Sequence, residues 1–246
     1  MNLLLDIGNS RIKWATLTDG AIAPGETIGL RVESPGEALI GKFAGLPAPQ
    51  SILVANVAGD SIAGIVERTV GKLWLRRPEF IRVERERMGV RTDYSDAAQL
   101  GVDRWLALLA ARHGSRDPAC VVDCGTAVTV DAMDANGVHL GGWIVPGSDM
   151  MRSALVENTR EISVEAGSAT MEFGLSTSAC VNNGSAVAIA SLIDRAIAQL
   201  SARFGPRVYC IMTGGGATSI LPLLENHFHH DPELVFRGLA LFAGDR

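Results

Sequence analysis

Two short stretches of the chain carry the same chemistry-bearing pattern. Leu3-Leu4-Leu5-Asp6-Ile7-Gly8-Asn9-Ser10 runs an apolar strand into a tight turn, and Val121-Val122-Asp123-Cys124-Gly125-Thr126-Ala127 reads the same way. Each places a carboxylate two residues ahead of a glycine. A glycine can adopt φ > 0 and let the backbone approach a ligand closely. Successive backbone N–H groups then form an anion-binding concavity, and the neighbouring Asp offers a carboxylate to a metal ion bound to that anion. The chemistry expected is the handling of a phosphate chain. Each Asp also has a structural alternative, a turn cap bonded to the amides of its own loop.

Other residues offer different chemistry. Asp103 stands at the start of a helix-like segment, where a carboxylate serves either as a proton acceptor for an attacking hydroxyl or as an N-terminal cap. Residue type alone leaves those readings level. Arg104 follows it; a guanidinium matches a carboxylate bidentately, although outside a motif it reads as a surface charge. Lys13 is either an aid to a phosphate or a strand lysine facing solvent. Thr213-Gly214-Gly215-Gly216 follows an apolar strand and suits close approach to a nucleoside. His227, His229 and His230 cluster without an acidic or cysteine partner at a ligand spacing, which disfavours a metal site. The arginines between Arg76 and Arg91 interleave with Glu79, Glu84 and Glu86, the pattern of a solvated face.

The elements that must position these residues form a repeat. At a fixed offset Asp6 meets Asp123, Gly8 meets Gly125, Ala15 meets Ala132 and Gly20 meets Gly137. The second strands are Arg11–Thr18 and Val128–Met133, and Asp19-Gly20 and Asn136-Gly137 read as two-residue hairpin turns. Between the hairpins the pattern gives a strand at Ser51–Val57, a helix at Ser61–Leu73, a short strand at Phe80–Val83 and a helix at Gln99–His113. After the second hairpin come a strand at Gly141–Gly147 and helices at Ser148–Glu157 and Gly184–Phe204. A strand at Val208–Met212 and a last helix at Leu234–Phe242 follow. Pro35–Pro49 reads as a loop. Each half runs strands first and helices after, giving an α/β chain of two lobes, 1–116 and 117–246.

Bulk properties bound the function. A net charge of −5 and a pI near 5.6 argue against a nucleic-acid partner, whose phosphates demand a basic face. No apolar stretch approaches the roughly 20 residues of a membrane span, and Met1–Asp6 has no basic leader region. Cys120, Cys124, Cys180 and Cys210 form no zinc-like cluster and read as free thiols in a reducing cytoplasm.

Read together and in order, Asp6–Trp14, Gly101-Val102-Asp103-Arg104-Trp105, Asp123–Ala127, Gly141–Gly147, Phe173-Gly174-Leu175-Ser176-Thr177 and Thr213–Gly216 are specific. The chain resembles the superfamily of sugar kinases, acetate kinase and actin-like ATPases. Within it, the sequence is similar to the type III pantothenate kinases along nearly its full length. The resemblance implies two duplicated ribonuclease H-like lobes, each a mixed sheet with helices, with an ATP cleft between them. It implies ATP-dependent phosphorylation of pantothenate to 4′-phosphopantothenate, the first step of coenzyme A synthesis. Asp6, Ile7, Gly8, Asn9, Ser10, Arg11, Ile12 and Lys13 would lie along the ATP phosphates, with Thr126 contacting them from the second lobe. Asp6 would hold Mg²⁺ through water, since that ion dehydrates reluctantly. Asp123 would hold a monovalent cation, potassium or ammonium. Asp103 would be the general base, with Tyr94, Gly101, Val102 and Arg104 around pantothenate. Thr177 would reach pantothenate from the neighbouring subunit of a homodimer. The family also includes proteins named Bvg accessory factors, so a catalytically silent nucleotide-binding regulator is the alternative. A related kinase or phosphatase acting on another small acid or polyol is a further one.

Overall fold

The computed structural model describes residues 1–30, 32–160, 162–165 and 167–244. Packing groups the chain into two units, less simply than a single division after residue 116. One unit comprises Met1–Arg87, Tyr94–Ala110 and the chain from Glu233 onward; the other comprises Met88–Asp93 and Ala111–Pro232.

In the first unit, β1 (Asn2–Ile7) is a central strand because Leu3, Leu4, Leu5 and Ile7 are buried on both of its faces. It pairs antiparallel with β2 (Arg11–Thr18), which pairs antiparallel with β3 (Ala21–Pro24) and β4 (Ile28–Gly29). On its other side β1 pairs parallel with β5 (Ile52–Asn56), and β5 with β6 (Glu79–Phe80). The sheet order is β3-β2-β1-β5-β6. Helices α1 (Pro35–Phe43) and α2 (Asp60–Trp74) deliver Leu39, Phe43, Val66 and Val70 to the core with Leu3, Leu5 and Ile7. The segment expected to be a loop at Pro35–Pro49 is therefore helical in its first part. Pro35 occupies the first turn, where its missing N–H costs nothing, and Leu39 and Phe43 meet at i, i+4.

After β7 (Glu86–Arg87), Met88 and Gly89 at φ 50° and 78° turn the chain into β8 (Val90–Thr92). The helix α3 (Val102–Gly114) follows, then β9 (Ala119–Cys124), β10 (Ala127–Met133) and β11 (Val138–Pro146), all antiparallel neighbours in that order. Beyond α4 (Ser148–Asn158) and α5 (Thr177–Phe204), β12 (Tyr209–Thr213) pairs parallel with β9, and β13 (His229–His230) parallel with β12. The short α6 (Ala217–Ile220) lies between them. The two sheets share one plan. β11-β10-β9-β12-β13 repeats β3-β2-β1-β5-β6 in order and in every strand direction, which is the duplication expected from the sequence.

The helix α5 begins at Thr177 rather than near Gly184, capped by the Ser176 hydroxyl, which accepts from the Ala179 N–H at 3.2 Å. It is long and apolar enough to cross a membrane. Yet Ile189, Ile193, Ile197 and Leu200 lie in the second unit's core beside Val122, Val130 and Met212, where a long apolar helix is what the sheet requires. The last helix, α7 (Leu234–Ala243), packs on β1 and β5 of the first unit. A Cβ at Gly238 would sit 2.3 Å from the Leu106 carbonyl, so α7 and α3 touch backbone to backbone.

Register refines the repeat. Asp6 pairs with Lys13 and Asp123 with Thr129, so the first turn of the second hairpin is one residue shorter. Thr18 pairs with Ala21 across the two-residue turn Asp19-Gly20. The other turn holds three residues, because the Asp134 N–H donates to the Val138 carbonyl at 3.0 Å with only Gly137 of the loop at positive φ. The two changes cancel, which restores the fixed offset after the turn but shifts β10 by one residue. In pairing, the partner of Ala15 in the repeat is Asp131 and not Ala132. A one-residue shift moves a side chain to the opposite face.

Candidate functional site

In the first unit, Asp6 is 9% exposed on the last turn of β1, with Lys13 opposite it in β2 and Ala55 beside it in β5. Lys13 Nζ lies 3.9 Å from Asp6 Oδ2, so this lysine faces the carboxylate. The Gly8 N–H closes the turn onto the Arg11 carbonyl at 3.1 Å, and the Leu30 N–H reaches the Ser10 carbonyl at 2.9 Å. Ile7 and Ile12 are fully buried, which leaves only their backbone to meet a ligand; Asn9 and Arg11 are exposed. Among the described residues, Gly8 is not at positive φ, nor is Gly125. The conformational reason expected for these two glycines does not hold; what they provide is the absence of a side chain.

The second loop is packed differently. Gly125 N–H donates to the Ala127 carbonyl at 3.0 Å, Gly147 N–H to the Thr126 carbonyl at 2.9 Å, and Gly216 N–H to the Cys124 carbonyl at 2.8 Å. A Cβ at Gly147 would lie 2.6 Å from the Gly125 carbonyl oxygen. One at Gly214, which sits at φ +94°, would lie 2.3 Å from Asp123 Oδ1. Two glycine segments, at Gly147 and at Gly214–Gly216, thus close on Asp123–Ala127 with no room for a side chain at Gly147 or Gly214, while Gly125 and Thr126 stay exposed. Thr129 and Thr213 stand opposite Asp123 in β10 and β12. Strand pairing thus sets a carboxylate between two hydroxyl-bearing residues on neighbouring strands, oxygen donors of the kind hard cations take. Burial, and after it the Asp123 charge, pushes the Cys124 thiol up to about 12. Cys124 is thus a neutral lining group.

The third constellation is the start of α3. Asp103 Oδ1 accepts from the Arg104 N–H at 2.8 Å, and a Cβ at Gly101 would lie 2.5 Å from the same oxygen. Asp103 is the second residue of α3 and not its cap; its bond to a first-turn N–H holds the carboxylate at the positive end of the helix. Arg104 is 8% exposed, not a surface charge, and its Nη1 lies 3.5 Å from the Tyr94 hydroxyl. Tyr94, Gly101, Val102, Asp103 and Arg104 are thus brought together within one unit. Arg85, one of the arginines whose pattern is that of a solvated face, donates to the Tyr94 and Ser95 carbonyls at 3.1 and 3.2 Å.

Thr177 lies in the second unit, exposed on the first turn of α5. Among the described residues no three His, Cys, Asp or Glu side chains gather as a metal cluster; His229 and His230 form the edge strand β13. Two features gave no signal in the sequence. Arg85 looks like its neighbours, and the meeting of Gly147 and Gly214 with the Asp123 turn is tertiary, although the glycines themselves stood out.

The chain is similar to known proteins along its length. A family model described as type III pantothenate kinase matches residues 2–199. A type III pantothenate kinase from Nitrosococcus oceani is 39% identical over 259 aligned residues, covering 100% of this chain and 94% of the relative. Another, from Azoarcus, is 37% identical, covering 99% of this chain and 90% of the relative. Among solved structures, a Baf family transcriptional activator from Campylobacter jejuni superposes with a TM-score of 0.60 at 24% identity, covering 99% of this chain and 98% of that one, a likeness of fold. With its full length aligned to such relatives and its duplicated lobes in place, the chain belongs to the type III pantothenate kinase family.

Proposed function

We propose that this protein transfers the γ-phosphoryl group of ATP to pantothenate, forming 4′-phosphopantothenate and ADP at the entry to coenzyme A synthesis. The observation that carries the site assignment is the start of α3, where a helix-anchored carboxylate, a buried guanidinium and a tyrosine hydroxyl stand together. Phosphoryl transfer needs positioning, charge neutralisation and an acceptor for the proton of the attacking hydroxyl. In this reading Arg104 holds the pantothenate carboxylate through its planar donor fork, with Tyr94, Gly101 and Val102 completing the pocket. The substrate hydroxyl oxygen forms a bond to the γ-phosphorus, its proton passes to Asp103, and the bond to the ADP oxygen breaks.

The residues Asp6–Lys13 are assigned to the ATP phosphates, with Thr126 as a further contact. A divalent ion bound with ATP neutralises phosphate charge, and Asp6 is suited to hold it through water. Asp123, with Thr129 and Thr213 opposite it, is assigned a monovalent cation, potassium or ammonium.

Assembly as a homodimer, with Thr177 reaching the partner's pantothenate, has support in the surface next to that residue. Phe173 and Leu175 are 99% and 101% exposed, and Met150, Leu155, Val156 and Met171 are exposed as well. Phe173 and Leu175 stand within four residues of Thr177, and large apolar side chains left exposed are the kind that mark interaction surfaces. A cytoplasmic location follows from the nature of the substrates.

The test is ADP release from ATP and Mg²⁺, with and without pantothenate, in potassium and in sodium buffer. Pantothenate-dependent turnover that collapses in sodium is the expected result. ATP binding without turnover in either buffer would replace the kinase with a nucleotide-binding regulator.

A further inference from the structure

We infer that Arg85 is a positioning residue for the pantothenate pocket, an inference that rests on the assignment of Tyr94 and Arg104 to that substrate. The loop from Tyr94 to Gly101 joins β8 to α3. From Asp96 onward it is held by its own bonds: Asp96 Oδ1 accepts from Ala98 N–H at 3.0 Å, Gln99 N–H reaches the Asp96 carbonyl at 3.1 Å, and Leu100 N–H reaches the Ala97 carbonyl at 3.1 Å. Ahead of that self-bonded turn, Arg85 Nη2 takes the carbonyls of Tyr94 and Ser95 at 3.1 and 3.2 Å. Tyr94 is thereby fixed at both ends, its carbonyl by Arg85 and its hydroxyl beside Arg104 Nη1 at 3.5 Å.

The geometry has a physical consequence. A guanidinium makes charge-assisted hydrogen bonds stronger than those of neutral donors. Two adjacent backbone carbonyls held by one nitrogen fix the loop at the point from which the Tyr94 ring projects. Freed of that restraint, the Tyr94 ring samples other orientations and Arg104 loses a fixed neighbour. Small misplacements of substrate-positioning groups have large kinetic effects. Arg85 is itself exposed, so its removal leaves no cavity and no buried unpaired group. The loss falls on pantothenate and spares ATP, because the restrained groups belong to the pantothenate side.

Steady-state kinetics of Arg85→Ala should show a pantothenate KM raised about fivefold to tenfold, about the net worth of one ordinary hydrogen bond. The KM for ATP and the melting temperature should stay at the unvaried values. Arg82→Ala, which removes a neighbouring positive charge, should leave both KM values unchanged, and Arg85→Lys should fall between Arg85→Ala and the unvaried enzyme. Because Arg85 acts through Tyr94, the Tyr94→Ala/Arg85→Ala double variant should be no worse than Tyr94→Ala alone. Equal rises in both KM values, an unchanged pantothenate KM, or additive losses in the double variant overturn the clamp while leaving the substrate assignment standing. Absence of pantothenate turnover in the unvaried enzyme overturns that assignment and the clamp together.

Discussion

The two lobes are built on one skeleton and use it differently. Both run their sheets in the same order and directions, and both put an Asp at the end of the first strand, two residues before a glycine. Around Asp6 stand a lysine at 3.9 Å and an alanine; around Asp123 stand two threonines. The first loop is open, with the nearest atom to a Cβ at Gly8 at 3.7 Å, whereas the second is enclosed by Gly147 and Gly214 at distances no side chain tolerates. Duplication has preserved the carboxylate and the strand order, while the atoms facing the carboxylate have diverged. A cation-bearing open loop fits a mobile, highly charged ligand, and a tightly packed loop beside oxygen-bearing residues fits an ion bound in place.

Two helices of the first unit differ as sharply at their starts. After β8, α3 opens with Asp103 and Arg104; after β13, α7 opens with Leu234, Val235 and Phe236, all buried, and no acid in its first turn. The chemistry these starts carry differs most, so the largest effect is expected here. Asp103→Asn should lower kcat by about 10²- to 10⁴-fold, the range for loss of a positioned general base. Asn keeps an Oδ1 acceptor for the Arg104 N–H, so urea unfolding should be unaltered. Turnover within twofold of the unvaried enzyme would reduce Asp103 to a partner of the helix dipole and erase the functional difference between α3 and α7.

The contrast between the loops is tested by their glycines. A methyl at Gly214 meets Asp123 Oδ1 at 2.3 Å and the Cys124 backbone at 2.5 Å, on a backbone at φ +94°. Forcing it in should cost about 2–4 kcal/mol, from overpacking together with a disfavoured backbone angle. Gly8→Ala meets only the Arg11 carbonyl, at an ordinary contact distance, and should change stability by under about 0.5 kcal/mol. Urea midpoints of the two variants decide it. Equal losses would mean that the loops are packed alike.

What could be read from the chain, and what could not, follows the range of the interactions. The hairpins and the Asp-x-Gly turns were legible because turn residues and alternation act over a few positions, whereas Asp103 and Arg104 stood out only through the family resemblance. The register shift in β10 was hidden, since a shorter first turn and a longer second one cancel in the numbering. The first turns of α5 escaped because Thr177, Ser178, Asn182 and Asn183 interrupt the apolar rhythm. The structure gives the polar ones local work, Asn183 taking the Thr170 N–H and the Glu172 carbonyl. The place of α7 on β1 joins distant segments, and the bond from Arg85 to Tyr94 crosses an irregular stretch whose path no local pattern announces.

Replacing each loop carboxylate sharpens the assignment of ions. Asp6→Asn should raise the Mg²⁺ requirement and the ATP KM, with no change in the preference for potassium over sodium. Asp123→Asn should abolish that preference and leave the Mg²⁺ requirement alone. Each effect should be about tenfold to a hundredfold, the loss of one charged interaction. Titrating both salts against both variants gives four numbers, and a shared response would show that the loops serve one ion together.

The smallest expected difference is read through pH at the position after each Asp. Ile7 follows Asp6 and cannot ionise. Cys124 follows Asp123, and burial, with the Asp123 charge after it, raises its thiol from 9.0 to about 12. All four cysteines fall in the second unit, and burial pushes the Cys210 thiol up to about 11 as well. A group whose pKa is higher in the folded state favours folding fully below its unfolded pKa and loses that contribution as pH rises toward the folded value. The window therefore opens near pH 9 and runs to about pH 12 for Cys124. Within it each such thiol lowers stability by about 1.4 kcal/mol per pH unit. Hydrogen exchange followed from pH 8 to 10.5, corrected for intrinsic rate, should show β9 and β12 losing protection while β1 and β5 hold theirs. Cys124→Ala should flatten part of that loss, at a constant offset from its own packing defect beside Met212, whose sulfur lies 3.8 Å from the thiol. Parallel loss in both sheets would assign the alkaline instability to general charge repulsion and remove this distinction between the loops.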